Sequence, residues 1–246
     1  AQGGFDFDGG DCFHYLDEIR IKDIDAAAFG GDLLARLPAN FQDNEQLGRL
    51  KVITNLGTSG ACASLATTGQ PDAADCVYES LHSFGGRSFS IYNTETWERV
   101  YNSGNSIESV TANRLGVANF NSTNDENGSG DDRSDDKGPE PEAIEIGVIE
   151  GKTYAFVGLE RVGGIAVYDI SNPEQAEFVQ YINNRDFDVA DVEAATLAGA
   201  KGLDLGPESI KFVPAADSAT GEAMLIVGNE VSGSTTFYSV TVTNKG

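Results

Sequence analysis

Residues 138–170 read GPEPEAIEIGVIEGKTYAFVGLERVGGIAVYDI, and residues 206–240 read GPESIKFVPAADSATGEAMLIVGNEVSGSTTFYSV. The two stretches are copies of one unit. Each opens on a Gly-Pro-Glu triplet, Gly138 to Glu140 and Gly206 to Glu208, and continues in an alternating strand. A second strand ends in a Gly-x-Glu step, Gly158 to Glu160 and Gly228 to Glu230, and a third strand follows after a glycine. TYAFVGLE and AMLIVGNE are nearly continuously apolar, as expected of strands buried on both faces. A weaker copy precedes them in LGRLKVITNLG, LHSFGGRSFSIYN and ERVYNSG. Short period-two strands with polar turns, repeating at about 70 residues, predict an all-β chain of β-propeller blades. About three blades are legible, whereas closed propellers use about four to eight. Repeats bury their faces against neighbours. The expectation is therefore part of a larger propeller, completed by a missing segment or a partner chain. A three-bladed or sandwich-like closure is the alternative.

Around the repeats, residues 1–48 read as a lead-in segment. It has a strand at DEIRIKDI and a short helix or turn around Leu33, Leu34 and Leu37, stopped by Pro38. Residues 49–246 carry the blades, with a long acidic loop at 121–142 and a second loop at 186–205 that holds one helical turn. A hydrophobic content of 40% permits a core, and 29 glycines with only 22% charged residues suit short strands and tight turns better than long helices.

The 39 Asp and Glu against 16 Lys and Arg leave a formal charge of −23. That field repels phosphate backbones, so no nucleic-acid partner is expected, and it attracts divalent cations and basic partners. Solubility in a salty medium is the other reading of the charge. No run of eighteen apolar residues exists, so no membrane span is expected. Residue 1 is Ala, which reads as a processed chain or a fragment.

Of the three cysteines, Cys62 and Cys76 bracket a Gly/Ala/Thr-rich excursion. A disulfide between them would stabilise by about 3 kcal/mol and fits an oxidising, extracellular setting. Two buried thiols are the alternative. Cys12 is then free or paired with a segment or chain elsewhere.

Four groups of residues carry candidate chemistry. Asp125, Glu126, Asp131, Asp132, Asp135, Asp136, Glu140 and Glu142 crowd one loop, and calcium takes six to eight hard oxygen ligands from such loops. Asp6, Asp8 and Asp11 flank Gly9-Gly10 in a second, smaller candidate calcium loop. The repeated acids, Glu140 with Glu208 and Glu160 with Glu230, would face one channel or rim of a propeller and bind a cation or a basic ligand there. Their structural alternative is to cap their own turns or to pair with Arg87, Arg161 or Arg185. Asn183, Asn184, Arg185 and Asp186 follow an apolar strand and either hold an anion or close a turn. No catalytic residue is assigned: His14 and His82 lack a partner motif, no GxSxG elbow exists, and the GKT at 151–153 lacks the upstream glycine of a phosphate loop. Asn121 and Asn127 open N-glycosylation sequons in the acidic loop, which is read as exposed.

QLGRLKV, LHSFGGRSFSIY, FNSTNDENGSGDDRSDDKGPEPE, TYAFVGLERVGGIAVYDI, FVQYINNRDF, DLGPES and IVGNEVSGSTT together resemble the choice-of-anchor I domain family. The resemblance runs from about residue 17 to the end. That family includes bacterial surface and secreted proteins and is similar to the mesenchyme-specific cell surface glycoprotein, and some bacterial members are labelled alkaline-phosphatase-like. The resemblance implies a secreted or cell-surface propeller with calcium association, of which this chain matches the C-terminal half. The Cys62–Cys76 insert departs from the pattern, and no catalytic residue carries over. The expected function is a calcium-associated extracellular module that mediates binding, matrix or assembly contacts. A calcium-dependent phosphatase and a structural subunit of an extracellular filament or layer are the alternatives.

Overall fold

The computed structural model describes residues 17–60, 62–68, 71–189, 191–199 and 203–243. The chain divides after Gly85 into two compact units.

In the first unit β1 (Glu18–Arg20) pairs antiparallel with β2 (Lys51–Ile53), and β3 (Thr58–Ser59) with β4 (Val77–Tyr78). The expected helix is a single turn, α1 (Gly31–Leu34), and a second short helix, α2 (Ala63–Thr68), fills the cysteine excursion. Ile19, Ile21, Phe29, Leu33, Phe41, Val52 and Tyr78 form the core, with the Phe29 and Phe41 rings edge-on at 4.9 Å. Cys62 and Cys76 form a disulfide with Cα atoms 4.5 Å apart, inside the usual range, and Leu65 packs on it.

The second unit opens with a two-stranded sheet, β5 (Ser90–Tyr92) and β6 (Arg99–Asn102), and the helix α3 (Ser106–Leu115). It continues with β7 (Pro141–Ile149), β8 (Lys152–Leu159), β9 (Ile165–Asp169) and β10 (Glu177–Ile182), an antiparallel sheet in the order β10-β9-β8-β7. A helix, α4 (Val192–Leu197), precedes the three-stranded sheet of β11 (Pro207–Val213), β12 (Ala223–Asn229) and β13 (Ser234–Val240). The architecture is thus mostly antiparallel β, in small open sheets; among the described residues no sheet closes on itself. The weakest repeat copy does not form a third sheet of this size. β2 pairs with β1 of the lead-in segment, while β5 and β6 stand as a separate pair. Its strands are three and four residues long.

β11, β12 and β13 repeat β7, β8 and β9. Pro141 lies opposite Leu159 and Pro207 opposite Asn229, and a bulge follows each proline. Gly158 lies opposite Ile165, and Gly228 opposite Thr235. This register makes Pro141, not Pro139, the counterpart of Pro207, and Glu142, not Glu140, the counterpart of Glu208. The sequence-based pairing of Glu140 with Glu208 is therefore two residues out. A proline has no N–H for the ladder and sits best at a strand start, so strand position outweighs the shared Gly-Pro-Glu letters.

The three-stranded sheet lies on one face of the other. Phe212 stacks on Phe156, centroids 5.9 Å apart, among Tyr154, Ile165, Val167, Leu225 and Val227. Gly147 makes room for this: a Cβ there would stand 2.6 Å from the Phe212 ring. On the opposite face Val157, Leu159, Ala166 and Tyr168 pack on Phe89 and on Ile107 of α3.

Candidate metal centre

Five glutamates meet where the two sheets begin. The bulge after Pro141 carries Glu142, and the bulge after Pro207 carries Glu208. Glu160 and Glu230 stand just past the ends of β8 and β12. Their main chains are held alike: the Glu160 N–H donates to the Glu140 carbonyl at 2.9 Å, and the Glu230 N–H to the Gly206 carbonyl at 2.7 Å. Gly158 lets the sheets close up at this end, because a Cβ there would meet the Pro207 carbonyl and Ile210 at 3.2 Å.

Glu160 is the hinge of the cluster. One carboxylate oxygen each from Glu160, Glu208 and Glu230 lie within 4.8 Å of one another, and so do one each from Glu140, Glu142 and Glu160. A calcium shell of radius about 2.3–2.6 Å spans about 4.6–5.2 Å from oxygen to oxygen, so either triad has the spread of a cation site. Their surroundings separate them. Glu140, with a fully buried side chain, receives Arg133 at 2.5 Å, Lys137 at 2.9 Å and Arg161 at 3.2 Å, and Lys137 also reaches Glu142 at 3.2 Å. The protein's own cations already neutralise that triad. Glu160, Glu208 and Glu230 make a more acidic group, with Arg161 3.1 Å from Glu160. This donor set fits a divalent cation.

The carboxyl groups register the crowding. Burial would raise Glu140, but hydrogen bonds from Arg133 and Lys137 prevail and hold it down to about 2. Burial, together with a hydrogen bond shared with Glu140, pushes Glu160 up to about 7 against the pull of Arg161. Glu208 and Glu230 are exposed, and Glu208 is raised by the slight desolvation it undergoes and by the hydrogen bond it shares with Glu230.

The acidic loop is anchored rather than loose. Arg185 is buried and donates through Nη1 to the Thr123 carbonyl at 2.7 Å, through Nη2 to the Glu126 carbonyl at 2.9 Å and through Nε to Asn127 Oδ1 at 2.8 Å. Burial draws its guanidinium down to about 10. Arg87 clamps the far side, pairing with Glu108 at 2.8 Å and donating to the Ser134 carbonyl. The Asn121 side-chain amide donates to Glu108 Oε1 and Ser134 Oγ, both at 2.9 Å, and that of Asn127 donates to the Asp186 and Val189 carbonyls. Both sequon asparagines are buried. The reading of an exposed loop is corrected at these two asparagines, whose side-chain nitrogens are engaged in the fold.

Of the eight loop acids, Glu140 and Glu142 join the centre. Asp125, Glu126, Asp131 and Asp132 are exposed, Asp136 pairs with Arg133 at 3.0 Å, and Asp131 accepts from Ser134. Among the described residues these acids, with Asp135, form no group of three with ligand atoms as close as those of the two triads. Asp6, Asp8, Asp11 and Cys12 lie outside the described residues. Of the residues that follow β10, Asn184 donates to buried Asp204, which also accepts from Thr236 and Tyr238. Sequence reasoning missed Arg133, Lys137 and Asp204. For the first two the signal was present, since each is a cation isolated in an acidic run.

The profile of the Choice-of-anchor I domain matches residues 7–173. The chain belongs to the choice-of-anchor I domain family. The profile match covers β1 to β9 and stops before β10–β13. Gigasin-3a of Magallana gigas is 27% identical over 208 residues, which cover 82% of this chain and 67% of that relative. Two thirds of a relative is more than the C-terminal half that was expected. No solved structure matches the choice-of-anchor I chain. Among the described residues no helix is long and apolar enough to cross a membrane.

Proposed function

We propose that this choice-of-anchor I chain is an extracellular or cell-surface module whose two stacked sheets are successive blades of a propeller, and whose glutamate cluster binds calcium. The observation that carries this is the convergence of Glu160 and Glu230, equivalent positions of two repeated hairpins, with Glu208 from the bulge of the second. Family membership and the Cys62–Cys76 disulfide support an extracellular setting. The face-to-face stacking of one repeat on the next supports blades, whose remaining neighbours belong to further blades or to another chain. Glu160, Glu208 and Glu230 would hold the cation, which supplies the charge that lets three acids lie ionised side by side. The role is binding and assembly rather than turnover.

The test is thermal unfolding with calcium and with excess chelator, with metal content measured on the same sample. A cation that binds only the native state at a concentration of 100 times its Kd stabilises by about 2.7 kcal/mol. Glu208→Gln and Glu230→Gln should each abolish most of that shift, while Asp131→Asn and Asp132→Asn should leave it. A shift that survives both glutamate substitutions, or no shift and no bound metal, would sink the assignment.

A further inference from the structure

β5 and β6 are joined by a hairpin loop, residues 93–98, that is closed by hydrogen bonds of its own. The Asn93 N–H donates to the Glu98 carbonyl and the Trp97 N–H to the Asn93 carbonyl, both at 2.8 Å. Asn93 Oδ1 accepts from the N–H groups of Glu95 at 2.8 Å and Thr96 at 3.2 Å. A loop closed in this way needs a left-handed residue just before the returning strand, a place that glycine or asparagine ordinarily fills. Here the residue is Trp97, at φ 59. For a side chain of this bulk that conformation is strained.

Packing does not offset the strain. Trp97 is 77% exposed, and it is the chain's single tryptophan. Tyr92, at the other end of the loop, is 51% exposed. Further repeats of this chain would stack on sheet faces and leave a hairpin turn at the rim. A large ring held in solvent on a strained backbone gains little from the fold around it. Such backbone outliers gather at ligand clamps, and tryptophan is a favoured anchor of interfaces. The loop is also acidic. Glu95 and Glu98 flank the ring and are exposed, while the one cation of the hairpin, Arg99, lies on β6 opposite Tyr92.

We propose that Trp97 anchors a docking site for a basic segment of another protein, which lays a lysine or arginine side chain over the indole face. Indole is the best of the aromatic rings for such a cation. Glu95 and Glu98 add attraction of the same sign. The charge of −23 draws basic partners and repels acidic ones, a second copy of this chain included. The assignment rests on the β5–β6 hairpin alone and stands apart from the calcium reading.

The probe is a tetra-arginine peptide titrated into the full chain with calcium present, so that any cation taken by the glutamate centre is already in place. The emission of Trp97 is the signal, and no other tryptophan obscures it. A saturable change is expected, with the ring shielded from acrylamide in the complex. Trp97→Asn suits a left-handed turn and keeps the net charge, so general attraction to the acidic surface survives it. It should weaken binding by about fivefold in calorimetry and melt no lower than the parent chain. Equal affinity for Trp97→Asn, or an emission that does not move, would overturn the proposal. So would a lower melting temperature for Trp97→Asn, because the ring would then serve the fold. A response to the neutral sugar cellohexaose in place of the peptide would overturn it too, because the occupant would then be a glycan.

Discussion

Arg185 gives its guanidinium to main-chain carbonyls of the acidic loop, and so a run of carboxylates is held in one shape by a cation that touches the backbone. Replacing it by Met keeps the bulk and leaves the Thr123, Glu126 and Arg161 carbonyls and Asn127 without this donor. Arg185→Met should cost about 3 kcal/mol in urea unfolding, since each lost bond to a buried charged group is worth about 1.5–3 kcal/mol. Glu160 sets a pH dependence of its own. Its carboxyl titrates at about 7 in the fold, above its ordinary 4.5, so the folded state binds more protons between those values and metal-free stability falls as pH rises from about 4.5 to 7. Glu140 acts with opposite sign: held down to about 2, it contributes stability above its ordinary 4.5 that is lost as pH falls through that window towards 2. Metal-free melting temperatures should therefore peak where the two windows meet, and Glu160→Gln should flatten the alkaline limb. A metal-free curve that rises from pH 4.5 to 7 would contradict this.

At the scale of elements, the bulged hairpin is the working part. Proline at the strand start and the bulge after it carry one glutamate to the sheet end, and the Gly-x-Glu step carries another. The Gly-x-Glu steps were legible as a repeat, but the Gly-Pro-Glu letters misaligned it, because ladder register is decided by backbone donors. The helix α3 was not read at all. Its buried residues Ile107 and Thr111 are spaced one helical turn apart and Gly116 follows it at φ 69, yet Val110 and Thr111 are β-branched. Contact of Ile107 with Val157 and Tyr168 overrides that weak propensity. The disulfide belongs to this scale too. It closes a 14-residue separation in the first unit, and its reduction should lower that unit's stability by about 3 kcal/mol. Amide exchange before and after reduction should show faster opening in residues 17–85 and unchanged protection in β7–β9.

At the scale of the whole molecule, a charge of −23 is a repulsion that screening relieves. Adding sodium chloride should raise the melting temperature smoothly. Calcium chloride at equal ionic strength should raise it further, and only that excess belongs to the glutamate centre. Equal curves for the two salts would assign the whole effect to screening. Composition, net charge, the absence of a long apolar run, the cysteine spacing and the two strong repeats were all properties of the sequence, because each depends on residue type and on periods of a few residues. The Glu160–Glu208–Glu230 meeting and the burial of Asn121 and Asn127 were decided only by tertiary structure. They join residues up to 70 apart through strand register and sheet stacking, and those depend on which backbone donors and apolar faces find partners in space.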